Sequence, residues 1–355
     1  MFKPLSAILS AVALSAVMLP ANLAAAQPAG EFARCEISDL ALIYQGASHR
    51  IDWTADEIEP YVVHRFSDGT EDWLFDGFLF LEFKDAQGNQ YSPGYDTRNA
   101  RRAEWQWYLD RLFEPGKSLS ALDRVISRKK KELGDPGFRH RVVLTVMVPL
   151  NNQKDWGMLD DRPLDFSKTE DQLAASKWFI DQLTERFEKA GYENLDLWGL
   201  YWIDEDMVAT NDFPKKISPY IHEQGLKFVW IPYFNAPGHE RWRDLGFDIA
   251  YHQPNYFFSR WVPKERFDQS IDEALKYGMA MEFETDELAQ SQIPNNTRDR
   301  MIDYIEAFQR RGVFEKSALA YYTGHHLLLD FLRNPTPENR ELADRFARLI
   351  INRHK

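Results

Sequence analysis

Acidic residues stand at the ends of two short apolar runs, where their type and spacing suit chemistry. The acids 204–206 (Asp-Glu-Asp) directly follow the apolar run 199–203, and Glu282 and Glu284 stand two residues apart in a second run. Side chains at i and i+2 of a strand lie on the same side of it, so these two glutamates share one face. A buried carboxylate is costly without a partner or a task, so the pattern indicates a site.

Two carboxylates on opposite sides of a cleft are the groups that glycoside hydrolysis requires. One gives a proton to the leaving oxygen, and the other attacks the anomeric carbon or activates water. We therefore expect Glu205 to be the general acid/base and Glu282 the nucleophile, with Asp204 and Glu284 tuning their protonation. Two glutamates in close proximity also raise one pKa by like-charge repulsion, which keeps one of them protonated.

Neutral amides and aromatic rings stand at the ends of other apolar runs, and they suit a sugar ligand. Amides offer hydrogen bonds to hydroxyl groups, and aromatic rings offer flat apolar faces. The predicted substrate-binding residues are Tyr44, Trp202, Trp230, Tyr233, His252, Gln253, Asn255 and Tyr256. The alternative for each aromatic residue is packing in the core, and for His252 it is a structural role.

Eight short apolar runs supply the elements that must position these residues. They are 40–45, 77–82, 142–150, 197–205, 227–234, 249–256, 279–284 and 319–322. Amphipathic segments with apolar residues three or four apart lie between most of them, for example 168–189, 265–276 and 297–311. This alternation predicts a single-domain (β/α)₈ TIM barrel over 36–355, whose chemistry sits at the C-terminal strand ends. An open doubly wound sheet is the alternative, but no Gly-x-Gly-x-x-Gly or P-loop follows the first run.

Composition excludes several other classes of protein. The 355 residues carry 43 Lys+Arg against 55 Asp+Glu, a net charge of −12, which argues against a nucleic-acid partner. One cysteine excludes a disulfide framework or a Cys-rich metal site. No His-Glu-x-x-His or Gly-x-Ser-x-Gly occurs, and the adjacent His325 and His326 diverge in regular structure. We expect no metal and no cofactor.

The first 26 residues have the pattern of a secretory signal peptide. Lys3 precedes an uncharged apolar run, and three alanines end at Ala26, where cleavage is expected. Pro20 and Asn22 interrupt the run, so we expect no membrane span. The predicted product is an exported protein, periplasmic or extracellular.

Several segments are similar to a bacterial family known as domain of unknown function 4855. They are Leu42-Ile43-Tyr44, Leu74-Phe75-Asp76-Gly77-Phe78, Tyr201-Trp202-Ile203-Asp204-Glu205, Phe228-Val229-Trp230-Ile231-Pro232-Tyr233, Gln253-Pro254-Asn255-Tyr256 and Met281-Glu282-Phe283-Glu284. The resemblance implies a secreted protein found among carbohydrate-degrading genes, and it supplies no activity. The family pattern has Asp where Glu284 stands, which favours Glu282 as the nucleophile.

The positions of the acids also resemble those of retaining glycosidase barrels, which carry an acid after strand four and a glutamate on strand seven. Those enzymes usually have Asn before the strand-four glutamate, where this chain has Asp204. The prediction is a secreted glycoside hydrolase with a carbohydrate substrate. Two alternatives stay open, a non-catalytic carbohydrate-binding barrel and another secreted polysaccharide-modifying hydrolase such as a deacetylase.

Overall fold

A closed barrel of eight parallel strands forms the centre of the computed structural model, which describes residues 30–46 and 50–355. Each strand pairs with its neighbour in the sequence, and the last pairs with the first. The predicted (β/α)₈ barrel is confirmed, and each predicted run overlaps one strand. The strands are Asp39–Tyr44 (β1), Gly77–Leu81 (β2), His140–Val146 (β3), Leu195–Trp202 (β4), Lys227–Trp230 (β5), Ile249–His252 (β6), Ala280–Thr285 (β7) and Leu319–Thr323 (β8).

Helices lie between most consecutive strands. Those in the described ranges are Ala55–Val62 (α1), Arg102–Leu112 (α2), Ser118–Leu133 (α3), Thr169–Ala190 (α4), Phe213–Glu223 (α5), Glu265–Tyr277 (α6), Arg298–Arg310 (α7), Val313–Lys316 (α8), Leu327–Arg333 (α9) and Pro337–Ile351 (α10). The three helices predicted from periodicity are confirmed to within one residue at each end. One departure follows β5, where a single 3₁₀ turn, His239–Arg241, replaces an α-helix.

The strands are apolar on both faces because the barrel interior and the helix layer both exclude water. On β7, Phe283 packs against Tyr304 and Phe308 of α7. That contact places Phe283 on the helix side, so the alternation leaves Glu282 and Glu284 on the side of the barrel axis. The core therefore surrounds two acidic residues.

Insertions after β1, β2 and β3 carry short two-stranded pieces. The small sheets pair Val63–Arg65 with Glu71–Trp73, Asn89–Gln90 with Arg98–Asn99, and Met158–Leu159 with Arg162–Pro163. The segment 85–101 matters most, because it brings Tyr95 into contact with Glu205 at the end of β4.

The predicted signal peptide, residues 1–26, lies outside the described residues. Within the described ranges, no helix has both the length and the apolar character that crossing a bilayer needs.

Gly199 marks a close approach of β4 to β5. A Cβ at this position would lie 2.7 Å from the backbone oxygen of Lys227, an atom that cannot rotate away. We expect Gly199→Ala to push β5 outward and to lower the free energy of unfolding by about 1–3 kcal/mol, measured by urea denaturation. An unchanged unfolding midpoint would contradict this close approach.

Candidate active site

Glu205 lies just beyond the end of β4 and accepts hydrogen bonds from two distant parts of the chain. The Tyr95 hydroxyl donates to its Oε2 at 2.8 Å, and Gln253 Nε2 donates to its Oε1 at 2.7 Å. Burial raises the pKa of Glu205, and the Asp206 charge adds to the rise, while the two donors act against it. Glu205 thus combines a fixed orientation with a raised pKa, as a general acid/base requires.

Glu284 on β7 is held by donors from the loop after β6 and from α7. The backbone N–H of Asn255 donates to Oε2 at 2.6 Å, the Asn255 side-chain amide reaches Oε1 at 3.3 Å, and the Tyr304 hydroxyl donates to Oε2. Burial raises the pKa of Glu284 to about 7, and the hydrogen bonds oppose that rise. Three donors therefore favour its ionised form.

Glu282 lacks the hydrogen-bond donors that surround Glu284, although it stands only two residues away. It is 3% exposed, and among the described residues neither a hydrogen bond nor an ion pair reaches its carboxyl group. Burial raises its pKa well above the ordinary value, and the charges of Glu284 and Glu205 raise it further. When the strand-seven pair holds one proton, that proton therefore belongs on Glu282.

An amide bridge connects the two sides of the site. Asn255 Nδ2 donates to Gln253 Oε1 at 2.8 Å, and Gln253 Nε2 donates both to Glu205 and, at 2.9 Å, to the carbonyl of Ile231. Asn255 also donates to Glu284. The residues that follow β6 thus tie the carboxylate of strand four to that of strand seven.

Asp204 is buried beside this network. Its Oδ1 accepts a long hydrogen bond of 3.4 Å from the Ser92 hydroxyl, and its Oδ2 is buried without a partner. Burial raises the pKa of Asp204 to about 8, with further contributions from the charges of Asp206 and Glu205. Asp206 itself accepts a hydrogen bond from the Tyr233 hydroxyl at 3.0 Å.

Tyr44 lies at the end of β1, close to the acids. The guanidinium of Arg50 stands 4.6 Å from its ring centre, and Arg50 Nε is 2.7 Å from Glu82 Oε2. Burial raises the pKa of Tyr44, and the charges of Glu205 and Glu282 are among the causes. The structure therefore brings Tyr44 to the same end of the barrel as the predicted catalytic acids.

Trp202 and Trp230 point toward the helix layer and not toward the barrel axis, which corrects two predicted substrate contacts. The Trp202 ring packs against Phe213 of α5 and is fully buried, while its strand neighbour Tyr201 takes the side of the axis. Trp230 is also fully buried, and its Nε1 donates to the backbone oxygen of Asp204 at 2.7 Å. Trp230 therefore holds the backbone of the strand-four acids from the helix side of the barrel.

His252 and Tyr256 are likewise turned away from the acids. His252 is fully buried on the helix side, with Nε2 3.2 Å from Glu273 of α6. The Tyr256 hydroxyl donates to Asp303 of α7 at 2.6 Å. Neighbouring residues of a strand face opposite ways, so once Gln253 faces the site, His252 cannot. Of the eight predicted binding residues, the structure brings Tyr44, Tyr233, Gln253 and Asn255 to the acids.

The sequence pattern did not identify five residues of the site, and one of them is Tyr304 of α7, which donates to Glu284. Glu82 follows β2 as Glu205 follows β4, so the same strand-end pattern could have identified it. Its partner Arg50, and Ser92 and Tyr95 in the insertion, lie in irregular segments that carry no periodic signal.

Two groups in the described residues place carboxylates and a histidine within 4.8 Å of one another. They are Asp39, Asp76 and His354, and Glu287, His326 and Asp330. Arg353 lies 2.7 Å from Asp39, and Glu287 accepts the backbone N–H groups of His325 and His326. Both groups thus have internal partners, and neither contains a predicted catalytic acid.

Two cavities of the described structure lie away from the acids. One of about 620 Å³ is bounded by α1, the residues 63–71, α9 and α10. The other, of about 470 Å³, lies between the start of α2 and residues 155–157. Glu282 and Glu284, at 3% and 1% exposure, are nearly closed off from solvent.

The family model described as Domain of unknown function (DUF4855) matches residues 39–348, from the start of β1 into α10. The chain belongs to the DUF4855 family. No curated protein is significantly similar to this DUF4855 chain in sequence.

Solved structures with a related chain path are distant from this DUF4855 protein. A candidate alpha-L-fucosidase from Bacteroides thetaiotaomicron VPI-5482 is 14% identical, with a TM-score of 0.45 and coverage of 94% of this chain and 99% of that one. A GH18 chitinase from Pseudoalteromonas aurantia is 10% identical, with a TM-score of 0.42 and coverage of 87% and 99%. The tryptophan synthase A-subunit from Pyrococcus furiosus is 9% identical, with a TM-score of 0.39 and coverage of 89% and 97%. These similarities carry no argument about the reaction.

Asp204 gives the stability of the protein a specific dependence on pH. Between its ordinary pKa of 3.8 and the raised value of about 8, the folded state binds more protons than the unfolded chain. Stability contributed by this group is therefore lost as pH rises through that window. As pH rises from 5 to about 8, the free energy of unfolding of Asp204→Asn should therefore increase relative to that of wild type, measured by urea denaturation at each pH. A difference that does not change with pH would contradict the assignment.

Proposed function

We propose that this DUF4855 protein is an exported glycoside hydrolase that cleaves a polysaccharide or a glycoconjugate. The observation that carries the proposal is the amide bridge, through which Gln253 and Asn255 hold Glu205 and Glu284 at the C-terminal end of the barrel. Two carboxyl groups with fixed orientations and different hydrogen-bonding environments are the equipment of glycoside hydrolysis. Export rests on the predicted signal peptide.

The hydrogen bonds favour roles that differ in part from the sequence-based expectation. Glu205, whose pKa is raised by burial, gives its proton to the glycosidic oxygen as the bond to the anomeric carbon breaks. Glu284, kept ionised by its three donors, forms the bond to that carbon through Oε1, which has only the 3.3 Å contact. Water then attacks the same carbon, the bond from that carbon to Glu284 breaks to restore the carboxylate, and Glu205 takes the proton that the attacking water loses. Glu282 keeps its own proton and takes no part in making or breaking the glycosidic bond.

Three single substitutions test these roles. Glu205→Gln and Glu284→Gln should each reduce turnover by at least about 10²–10⁴-fold, because each removes a group that acts in the transition state. Glu282→Gln should stay within about tenfold of wild type, because the amide replaces a protonated carboxyl group. The measurement is sugar release from the best substrate in a glycan panel, with circular dichroism as the folding control.

Two results would contradict the proposal. Near-normal turnover of both Glu205→Gln and Glu284→Gln would remove the catalytic pair. Glycan binding by the wild-type protein without any released product would instead support a non-catalytic binding barrel.

Opposite changes around Glu205 should move the pH profile in opposite directions. Tyr95→Phe removes a donor that lowers the pKa of Glu205, so the alkaline limb of kcat/KM should shift to higher pH. Asp206→Asn removes a like charge that raises this pKa, so the limb should shift to lower pH. Shifts in the same direction, or none, would show that Glu205 does not set this limb.

A further inference from the structure

Large apolar side chains that are exposed to solvent concentrate at one end of the barrel. Among the described residues, eight such side chains are exposed, and six of them stand in the segments that follow barrel strands. The six are Tyr95, Met158, Val208, Phe258, Trp261 and Leu288. The other two, Leu133 and Leu332, lie on α3 and α9. Exposed apolar surface gathered at one end indicates a binding surface there.

Trp261 is the extreme member of this group. It is 95% exposed, and Phe258 in the same segment between β6 and α6 is 53% exposed. Tryptophan is highly buried on average, so a side chain that contacts almost nothing in its own protein is unusual. Packing in the core, the usual alternative for an aromatic residue, is therefore excluded for Trp261.

The segment that carries these rings is held firmly against α7. Arg260 Nη1 lies 3.0 Å from Asp299, and Lys264 Nζ lies 2.6 Å from Asp303. The buried Arg300 donates to the carbonyl of Val262 at 3.1 Å. Trp261 is thus presented from a backbone with contacts on both sides of it, which lowers the entropy lost when a ligand binds.

Aromatic contacts connect this segment to the candidate active site. The Phe258 ring meets Tyr322 edge-on, with centroids 5.5 Å apart, and Tyr322 meets Tyr44 in the same way at 5.5 Å. Tyr44 lies close enough to Glu205 and Glu282 for their charges to influence its pKa. A continuous line of rings therefore runs from the exposed segment to the acids.

We propose that Phe258 and Trp261 form a sugar-binding surface that holds units of a polysaccharide chain beyond the unit being cleaved. The inference rests on the proposed function, because it assigns that site a polymeric substrate. The C–H faces of pyranose rings can stack on aromatic rings while their hydroxyl groups stay in water, so exposed rings are sufficient. A stable protein partner would need about 1,200–2,000 Å² of total buried surface, far more than two rings supply.

The test measures polysaccharide binding in the full-length protein without hydrolysis. Glu205→Gln protein is run in native gels containing glycol chitin, xylan, glucomannan or fucoidan, and retardation by at least one of them is expected. Adding Trp261→Ala should weaken that binding by about tenfold, and Trp261→Phe should restore most of it. Leu332→Ala removes exposed apolar surface on α9 and serves as the matched control, which should bind normally.

Active protein separates this inference from the proposed function. Trp261→Ala should raise KM for the polymer and leave kcat/KM for a short aryl glycoside unchanged. Retardation that depends on Trp261 without any released product would contradict the proposed hydrolase activity and support the binding surface. Hydrolysis that is indifferent to Trp261, no retardation by any of the four glycans, or Trp261-dependent binding to phosphatidylglycerol vesicles instead would overturn the binding surface.

Discussion

Buried carboxyl groups held only by neutral donors are the constraint on which this site depends. Moving a charge out of water costs several kcal/mol, and proteins usually compensate with a cation. Within the described residues, no ion pair includes Asp204, Glu205, Glu282 or Glu284, and the donors that reach Asp204, Glu205 and Glu284 are hydroxyl and amide groups. Such donors fix the orientation of a carboxylate while leaving its pKa raised, whereas an adjacent arginine would lower it. Arg50, the nearby cation, is bound to Glu82 instead.

Several elements of the barrel converge to supply these donors. The segment that follows β6 provides Gln253 and Asn255, α7 provides Tyr304, and the insertion after β2 provides Tyr95. Trp230 then anchors the backbone of Asp204 from the helix side. A fold that closes eight strands into a ring brings these distant segments to one end, where a parallel barrel keeps its chemistry.

Much of this architecture was predictable because it follows from periodicity. Alternating apolar and amphipathic segments predicted all eight strands, and the two-residue period of β7 placed Phe283 opposite its glutamates. At the end of β6 the same period gives the neighbours His252 and Gln253 opposite directions, which conflicts with the prediction that both bind substrate. The distinction between Glu282 and Glu284 could not be predicted, because the donors Asn255 and Tyr304 lie 29 and 20 residues from Glu284. Tyr95 lies in an irregular insertion, where apolar residues have no regular spacing from which its position could be predicted.

The protonation state of Glu282 tests the central claim most directly. Infrared difference spectra between wild type and Glu282→Gln, recorded as a function of pH, report the carbonyl band of a protonated carboxyl group at this position. The band should be present at about pH 7 and disappear only at higher pH, because burial and two neighbouring carboxylates raise the pKa. Loss of the band near the ordinary glutamate pKa of about 4.3 would contradict the account.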